Sequence, residues 1–302
     1  MITRFVLGVL VWLFVADLCY PQEPKLQLKE GDTVVLLGST FLERDRHYGQ
    51  IETMLRSRFP GLKFRVRNLA WPGDTTTVQL RPLNFQNLDA LLAELKPTYV
   101  VVCFGSNEAF VGPEGVEGFL RGYRGYLDRL SKTGAKLILL SPVRLENLGQ
   151  LLPDPSVQNE ALRLYVDATR KLAAERGCLF INLFTTVVRP SSGAPASPLT
   201  ENGLHLTEKG YEVAAEAIAR QLVLGPSRIS PDQREKVRAA VVRKELLFFH
   251  HWRAHNAEYI YGRRAKAGDG NAGNPHFPAE LAEFARLLRA ADANIAQLST
   301  VR

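Results

Sequence analysis

Four short polar segments hold residue types that together could move an acyl group. Gly38-Ser39-Thr40 brings two adjacent hydroxyls, and a hydroxyl becomes a nucleophile once a base takes its proton. Trp71-Pro72-Gly73-Asp74-Thr75 sets a glycine in a turn. Gly105-Ser106-Asn107-Glu108 supplies a side-chain amide, and Glu201-Asn202-Gly203-Leu204-His205 supplies an imidazole. A nucleophile, a base and donors for a developing oxyanion are the parts of acyl transfer. Each residue also has a plainer use. Thr40 or Ser39 could cap a helix, Asn107 could shape a turn, His205 could be structural, and Trp71 could pack on a core.

These segments can meet only if the elements between them converge. Short apolar runs at 33–37, 63–69, 99–104, 136–140 and 179–182 read as strands. Helical spacing fills the intervals at 46–58, 89–95, 118–132, 158–176 and 207–222. Ile51, Leu55 and Phe59 share one face of the first, and Thr207 is placed to cap the last. Strands alternating with helices predict an α/β fold, a parallel sheet covered on both faces in a three-layer αβα sandwich. In such a sheet ligands sit beyond the carboxyl ends of the strands. Three of the four segments follow a strand, and the fourth lies on the long polar loop after the fifth strand.

The ends of the chain differ from this middle. Arg4 precedes an unbroken apolar run over residues 5–16, and polar sequence resumes at Pro21. The run is short for a bilayer span, so residues 1–20 read as a secretory signal peptide, with an uncleaved anchor or lipidation at Cys19 as alternatives. Cys103 and Cys178 fall in apolar strand runs and read as packing residues, with no disulfide framework. Gly225-Pro226 closes the alternating region. Residues 226–302 form a helical C-terminal extension interrupted by the Gly/Asn-rich stretch 268–274. The net charge of +7 is concentrated in this extension, where residues 227–302 carry 13 Lys and Arg against 8 Asp and Glu. That excess reads as solvated helix faces or as contact with an anionic partner. His251 and His255 have the i, i+4 spacing of zinc ligands, but Trp252 stands where a metalloprotease helix carries Glu. No metal and no cofactor is expected, and no nucleic-acid module is present in the sequence.

The four segments, in order, resemble the four blocks of the SGNH (GDSL-type) hydrolase superfamily over about residues 32–224. The resemblance implies a flavodoxin-like sandwich. It places the family nucleophile on Thr40, the oxyanion-hole glycine on Gly73, the oxyanion-hole asparagine on Asn107 and the catalytic histidine on His205. The chain departs from the pattern twice. Thr40 stands for Ser in Gly-Asp-Ser, and Asn202 stands for the carboxylate of Asp-x-x-His. It is similar in this to divergent members with Thr in the first block. A β-methyl crowds the attacking oxygen of Thr40. In the Ser-His-Asp template, replacing the carboxylate by an amide lowers kcat about 10⁴-fold. Glu201, one residue away, is a candidate substitute.

The expected function is a secreted or periplasmic ester hydrolase acting on acylated carbohydrate, with Trp71, Ser39 and Glu108 at the substrate. A pseudo-hydrolase that binds a sugar or ester without turnover, and a scaffold acting through the basic extension, are the alternatives. The partners expected are a small-molecule or glycan ester, no nucleic acid, and no membrane span once the signal is removed. The apolar run sets one expectation directly. N-terminal sequencing of the exported protein should find its first residue between positions 16 and 23, and recovery of Met1 in a soluble cytoplasmic form would contradict it.

Overall fold

The computed structural model describes residues 25–82, 85–149, 152–189, 197–253 and 276–301. The signal segment, the Gly/Asn-rich stretch and His255 lie outside the described residues. Among the described residues no helix is long and apolar enough to cross a membrane.

Five strands build one sheet: β1 (Thr33–Gly38), β2 (Arg65–Asn68), β3 (Tyr99–Cys103), β4 (Lys136–Leu140) and β5 (Leu179–Ile181). All pair in parallel, in the order β2-β1-β3-β4-β5. The chain steps from β1 outward to β2 and then crosses back to β3, so the strand order reverses between β1 and β3. The helices are α1 (Thr40–Arg44), α2 (Gln50–Arg58), α3 (Leu88–Leu95), α4 (Val116–Ser131), α5 (Ser156–Glu175), α6 (Leu183–Thr186), α7 (Glu208–Gln221), α8 (Pro231–Trp252) and α9 (His276–Leu298).

The period-2 alternation of a strand sorts the core into two faces. Val34 and Leu36 of β1 join Ile51, Met54, Leu55, Tyr211 and Ile218 under α2 and α7. Val35 and Leu37 join Phe119, Leu127, Leu162 and Leu172 under α4 and α5. Every residue of β1 is buried, as a strand covered on both sides requires. The result is the three-layer flavodoxin-like sandwich, with α8 and α9 added.

Most element boundaries shift by one to four residues from the sequence reading, and two of the shifts have clear local reasons. The helix expected over 46–58 begins only at Gln50, as α2; a 3₁₀ turn at Asp45–His47 precedes it, and α1 is a separate short helix before that turn. Gly49, at φ 65°, breaks the run, and the Asp45 carboxylate accepts the N–H groups of Gln50 and Ile51. The fifth strand ends one residue early because Asn182 caps α6, its Oδ1 accepting Thr185 N–H at 3.1 Å. Thr207 caps α7 as expected, accepting Gly210 N–H at 3.1 Å.

The C-terminal helices are fastened to the sheet edge by buried charge. Lys244 of α8 has no exposed side-chain surface. Its Nζ lies 2.6 Å from Glu52 of α2, also pairs with Glu245, and donates to the carbonyl of Val66 in β2 at 3.1 Å. Burial would raise the Glu52 carboxyl, but Lys244 and Arg56 more than offset this and hold it below its usual range. Arg67 of β2 grips Asp292 of α9 through two hydrogen bonds, at 2.6 and 3.2 Å. Phe248, Trp252 and Leu288 complete the apolar core under this edge. Leu246 faces solvent.

Two stability predictions follow from this edge. Lys244→Met removes the shared cation and leaves Glu245 buried without a partner. Urea unfolding should report a loss of about 3–5 kcal/mol, the usual cost of breaking a buried pair; an unchanged midpoint would show that the network contributes nothing. Asp45, beside the same cluster, is pushed up to about 7 from its ordinary 3.8. Burial is the main cause, opposed by the N–H groups of Ile51 and Gln50 and reinforced by Glu245 and Glu52. The folded state therefore holds a proton that the unfolded chain releases. Its stabilising effect is complete below pH 3.8 and is lost as pH rises through about 7. Stability should fall by up to about 1.4 kcal/mol per pH unit across that window. Asp45→Asn, which keeps an acceptor for the two N–H groups, should flatten the slope.

Candidate active site

Gly38 ends β1 against β3 so closely that a Cβ there would lie 2.2 Å from the Cys103 carbonyl oxygen, and its φ of +133° also demands glycine. Ser39 N–H then donates to that same carbonyl at 3.1 Å. This contact sets the loop after β1 beside the loop after β3, at the point where the strand order reverses. A cleft of about 80 Å³ opens there, lined by Ser39, Thr40, Arg44, Ser106, Asn107 and His205, with Phe41, Cys103, Val143, Leu204, Leu206 and Tyr211 as its other walls.

Thr40 is the first residue of α1 and is partly exposed. Among the described residues the Thr40 hydroxyl has no hydrogen-bond partner, and the backbone N–H groups of Thr40 and Gly73 meet no acceptor. No hydrogen bond joins Thr40 to His205. Ser39, behind it, is buried, and its Oγ accepts from Asn107 Nδ2 at 2.8 Å. The second hydrogen of Nδ2 goes to the carbonyl of Asp74 at 3.1 Å. Both N–H groups of Asn107 therefore tie the loops after β1 and β2 to the loop after β3.

His205 sits on the loop before α7. Its Nδ1 faces Asn202 Nδ2 at 3.3 Å, while Asn202 Oδ1 accepts the backbone N–H groups of His205 at 2.9 Å and Leu204 at 3.2 Å. Burial holds the His205 pKa below its usual value. The nearby Arg44 guanidinium lowers it further, and Glu201 opposes both. The Glu201 carboxylate does not hydrogen-bond the His205 imidazole, although the Glu201 backbone N–H donates to the His205 carbonyl at 2.8 Å. Its two oxygens are taken by Arg44 at 2.9 Å and by the Tyr48 hydroxyl at 2.9 Å. Burial raises the Cys103 thiol well above its ordinary range, so it contributes a wall and not a nucleophile.

Two expected substrate residues are placed otherwise. Glu108 is buried, and its carboxylate accepts Thr76 N–H and Gly105 N–H, each at 2.9 Å. It braces the loops after β2 and β3 and does not reach the cleft. Trp71 offers no open platform. The Arg253 guanidinium lies 3.6 Å and that of Arg81 4.3 Å from its ring centre, with Phe85 and Trp252 edge-on beside it. Arg81 also clamps Asp74 through two hydrogen bonds, although burial keeps the Asp74 carboxyl above its ordinary value. Gly73 turns with φ +79° at the exposed head of this loop.

The sequence reading missed Arg44, Ser106 and Tyr211. Arg44 had a legible signal, since it stands four residues after Thr40 on one helix and so shares its face. Tyr211 had none. It reaches the cleft from α7, stacks on Phe41 and Tyr48, and donates to the carbonyl of Phe41 at 2.7 Å. On α8, His251 packs between Phe248 and Phe284. Among the described residues no group of three or more His, Cys, Asp or Glu gathers to hold a metal.

Solved structures resemble this architecture at low identity. An α/β hydrolase from the metagenome of Lake Arreo, Spain, matches with TM-score 0.51 and 21% identity, over 66% of this chain and 99% of that one. A catalytic mutant of an acetylxylan esterase from Geobacillus stearothermophilus matches with TM-score 0.51 and 19% identity, over 68% of this chain and all of that one (100%). The chain spans only 48% of a further match, a gut microbial diltiazem-metabolizing enzyme, covering 65% of itself at 20% identity and TM-score 0.49. The first two likenesses show the fold. No curated protein sequence matches the chain. The family model of the GDSL-like lipases and acylhydrolases matches residues 31–213, which include Thr40, Gly73, Asn107, Asn202 and His205. The chain thus belongs to the GDSL-like lipase/acylhydrolase family, a class of hydrolases acting on ester bonds.

Proposed function

We propose that the protein is a slow ester hydrolase that removes a small acyl group, such as acetyl, from a carbohydrate. The observation that carries this reading is the unpartnered Thr40 hydroxyl, in one cleft with His205 at the strand-order reversal. Thr40 Oγ1 attacks the ester carbonyl carbon while its proton passes to Nε2 of His205. The oxyanion is met by the N–H groups of Thr40 and Gly73, and by Asn107 once its amide turns from Ser39. Collapse expels the alcohol, which takes the proton from His205. Water, deprotonated by His205, then attacks the acyl-threonine and releases the acid.

The narrow cleft supports a short acyl group. The carbohydrate part is supported by an acetylxylan esterase among the structures of the same fold. Export to the cell envelope is supported by the N-terminal apolar run. Residues 32–224 are read as the hydrolase-like domain and 226–302 as its extension. A second reading, ligand binding without turnover, is favoured by one observation: an amide, not a carboxylate, faces Nδ1 of His205.

Steady-state hydrolysis of p-nitrophenyl acetate tests both. Turnover by the unaltered protein should be measurable and should vanish in Thr40→Ala and His205→Ala. The double change Thr40→Ser with Asn202→Asp should raise kcat at least about tenfold, roughly 1.4 kcal/mol of barrier. Asn107→Ala in that background should remove most of the gain. The base must be neutral to act, and burial and Arg44 hold the His205 pKa below its ordinary value, so the acid limb of the rate should lie at lower pH than for an ordinary imidazole. No activity in any of these proteins, each folded by circular dichroism, would reject the hydrolase and leave the binding protein.

A further inference from the structure

We infer that Asn202 holds His205 in the tautomer with its proton on Nε2, and that the cleft thereby binds a small carboxylate, the acid that ester hydrolysis releases. The Asn202 amide cannot turn freely. Its Oδ1 accepts two backbone N–H groups, from His205 and Leu204. Rotation by half a turn would aim the NH₂ group at both donors. The amide nitrogen is therefore the atom that faces Nδ1, at 3.3 Å. An amide nitrogen brings hydrogens and accepts none, so Nδ1 must be bare. In a neutral imidazole the proton then resides on Nε2. An aspartate at this position would accept the two N–H groups and also take a proton-bearing Nδ1, which is the opposite tautomer.

The rest of the wall also donates. Thr40 and Ser106 line the cleft with hydroxyls, and Arg44 with a guanidinium whose Nε is buried without an acceptor. Ser39 Oγ, already accepting from Asn107, has its own hydrogen left to give. Among the described residues no Asp or Glu lines the cleft; Glu201 stands behind it, on Arg44 and Tyr48. Enclosed donors without acceptors favour a ligand oxygen that satisfies them. A planar anion of acetate size suits a cleft of about 80 Å³. The identity of the ligand rests on the hydrolase reading, whereas the tautomer does not. In this state Nε2 cannot take the Thr40 proton, so turnover draws on the minor tautomer with a bare Nε2 and is slow, and the acid product competes with ester for the same donors.

The tautomer is read from long-range ¹H–¹⁵N imidazole correlations of the full-length, ¹⁵N-labelled protein near pH 7.5, above the ordinary His pKa of about 6.5. His205 signals are those lost in His205→Gln. The unaltered protein should show a bare Nδ1 and a protonated Nε2, and Asn202→Asp should exchange them. If that variant does not fold, Asn202→Ala, which removes the amide without adding charge, should lose the bias. Sodium acetate, against sodium chloride at equal ionic strength, should shift the His205 Nε2 signal to saturation, with Kd at least tenfold weaker in Asn202→Asp. A protonated Nδ1 in the unaltered protein, or His205 signals indifferent to acetate, overturns the inference. Ester hydrolysis on the same samples separates the two readings. A protonated Nε2 without turnover removes the hydrolase and leaves this inference, and turnover with a protonated Nδ1 does the reverse.

Discussion

Where β1 meets β3, the Cys103 carbonyl leaves no room for a side chain at position 38 and accepts the N–H of Ser39 one residue later. Everything in the cleft is referred to that contact. It fixes the start of α1, and with it the direction of Thr40. Asn107 extends the same tie to Ser39 and to the Asp74 carbonyl, and Glu108 adds two charge-assisted bonds to Thr76 and Gly105. Three loops that follow three strands are thus joined by side chains from a single four-residue segment. Such bracing preorganises backbone donors without spending the cleft's volume on it.

The C-terminal helices add to this frame from the side. Lys244 and Arg67 make their ion pairs in the interior, where one missing partner leaves a costly charge. Arg253, at the end of α8, lies over Trp71, and Trp252 packs against the same ring. The loop that carries Gly73 is therefore held between the sandwich and the extension. The indole that could have met a sugar supports the wall instead.

The chemistry of the cleft turns on one atom exchange. An amide nitrogen and a carboxylate oxygen occupy nearly the same space, yet they ask opposite things of the imidazole beside them. With Asn202 the ring is steered toward donating from Nε2, and the carboxylate of Glu201 is too well satisfied by Arg44 and Tyr48 to reverse this. Thr40 keeps a free hydroxyl throughout. The site retains the means to hold a carbonyl or carboxylate oxygen better than the means to remove a proton.

The sequence by itself determined the order of strands and helices, because burial on two faces leaves near-continuous apolar runs for strands and 3.6-residue periods for helices. It also marked Thr40, Gly73 and Asn107 on segments that follow strands, and Asn202 and His205 on a polar loop, through their resemblance to the four family blocks, and the departures at Thr40 and Asn202 were plain in the residues themselves. What each polar group does was decided only by the tertiary structure. Glu108 and Trp71 have types suited to a substrate, but hydrogen-bond satisfaction and cation–π stacking enlist them in the frame. Arg44, Glu201 and Tyr48 form one set from positions 44, 48 and 201, and Tyr211 arrives from α7. Pairings over such distances along the chain carry no local pattern, since a side chain's partner is set by which backbone segments the sheet brings within hydrogen-bond reach. The direction of the Asn202 amide shows the same dependence: the residue was legible, but only two backbone N–H groups in the folded loop fix which of its atoms faces His205.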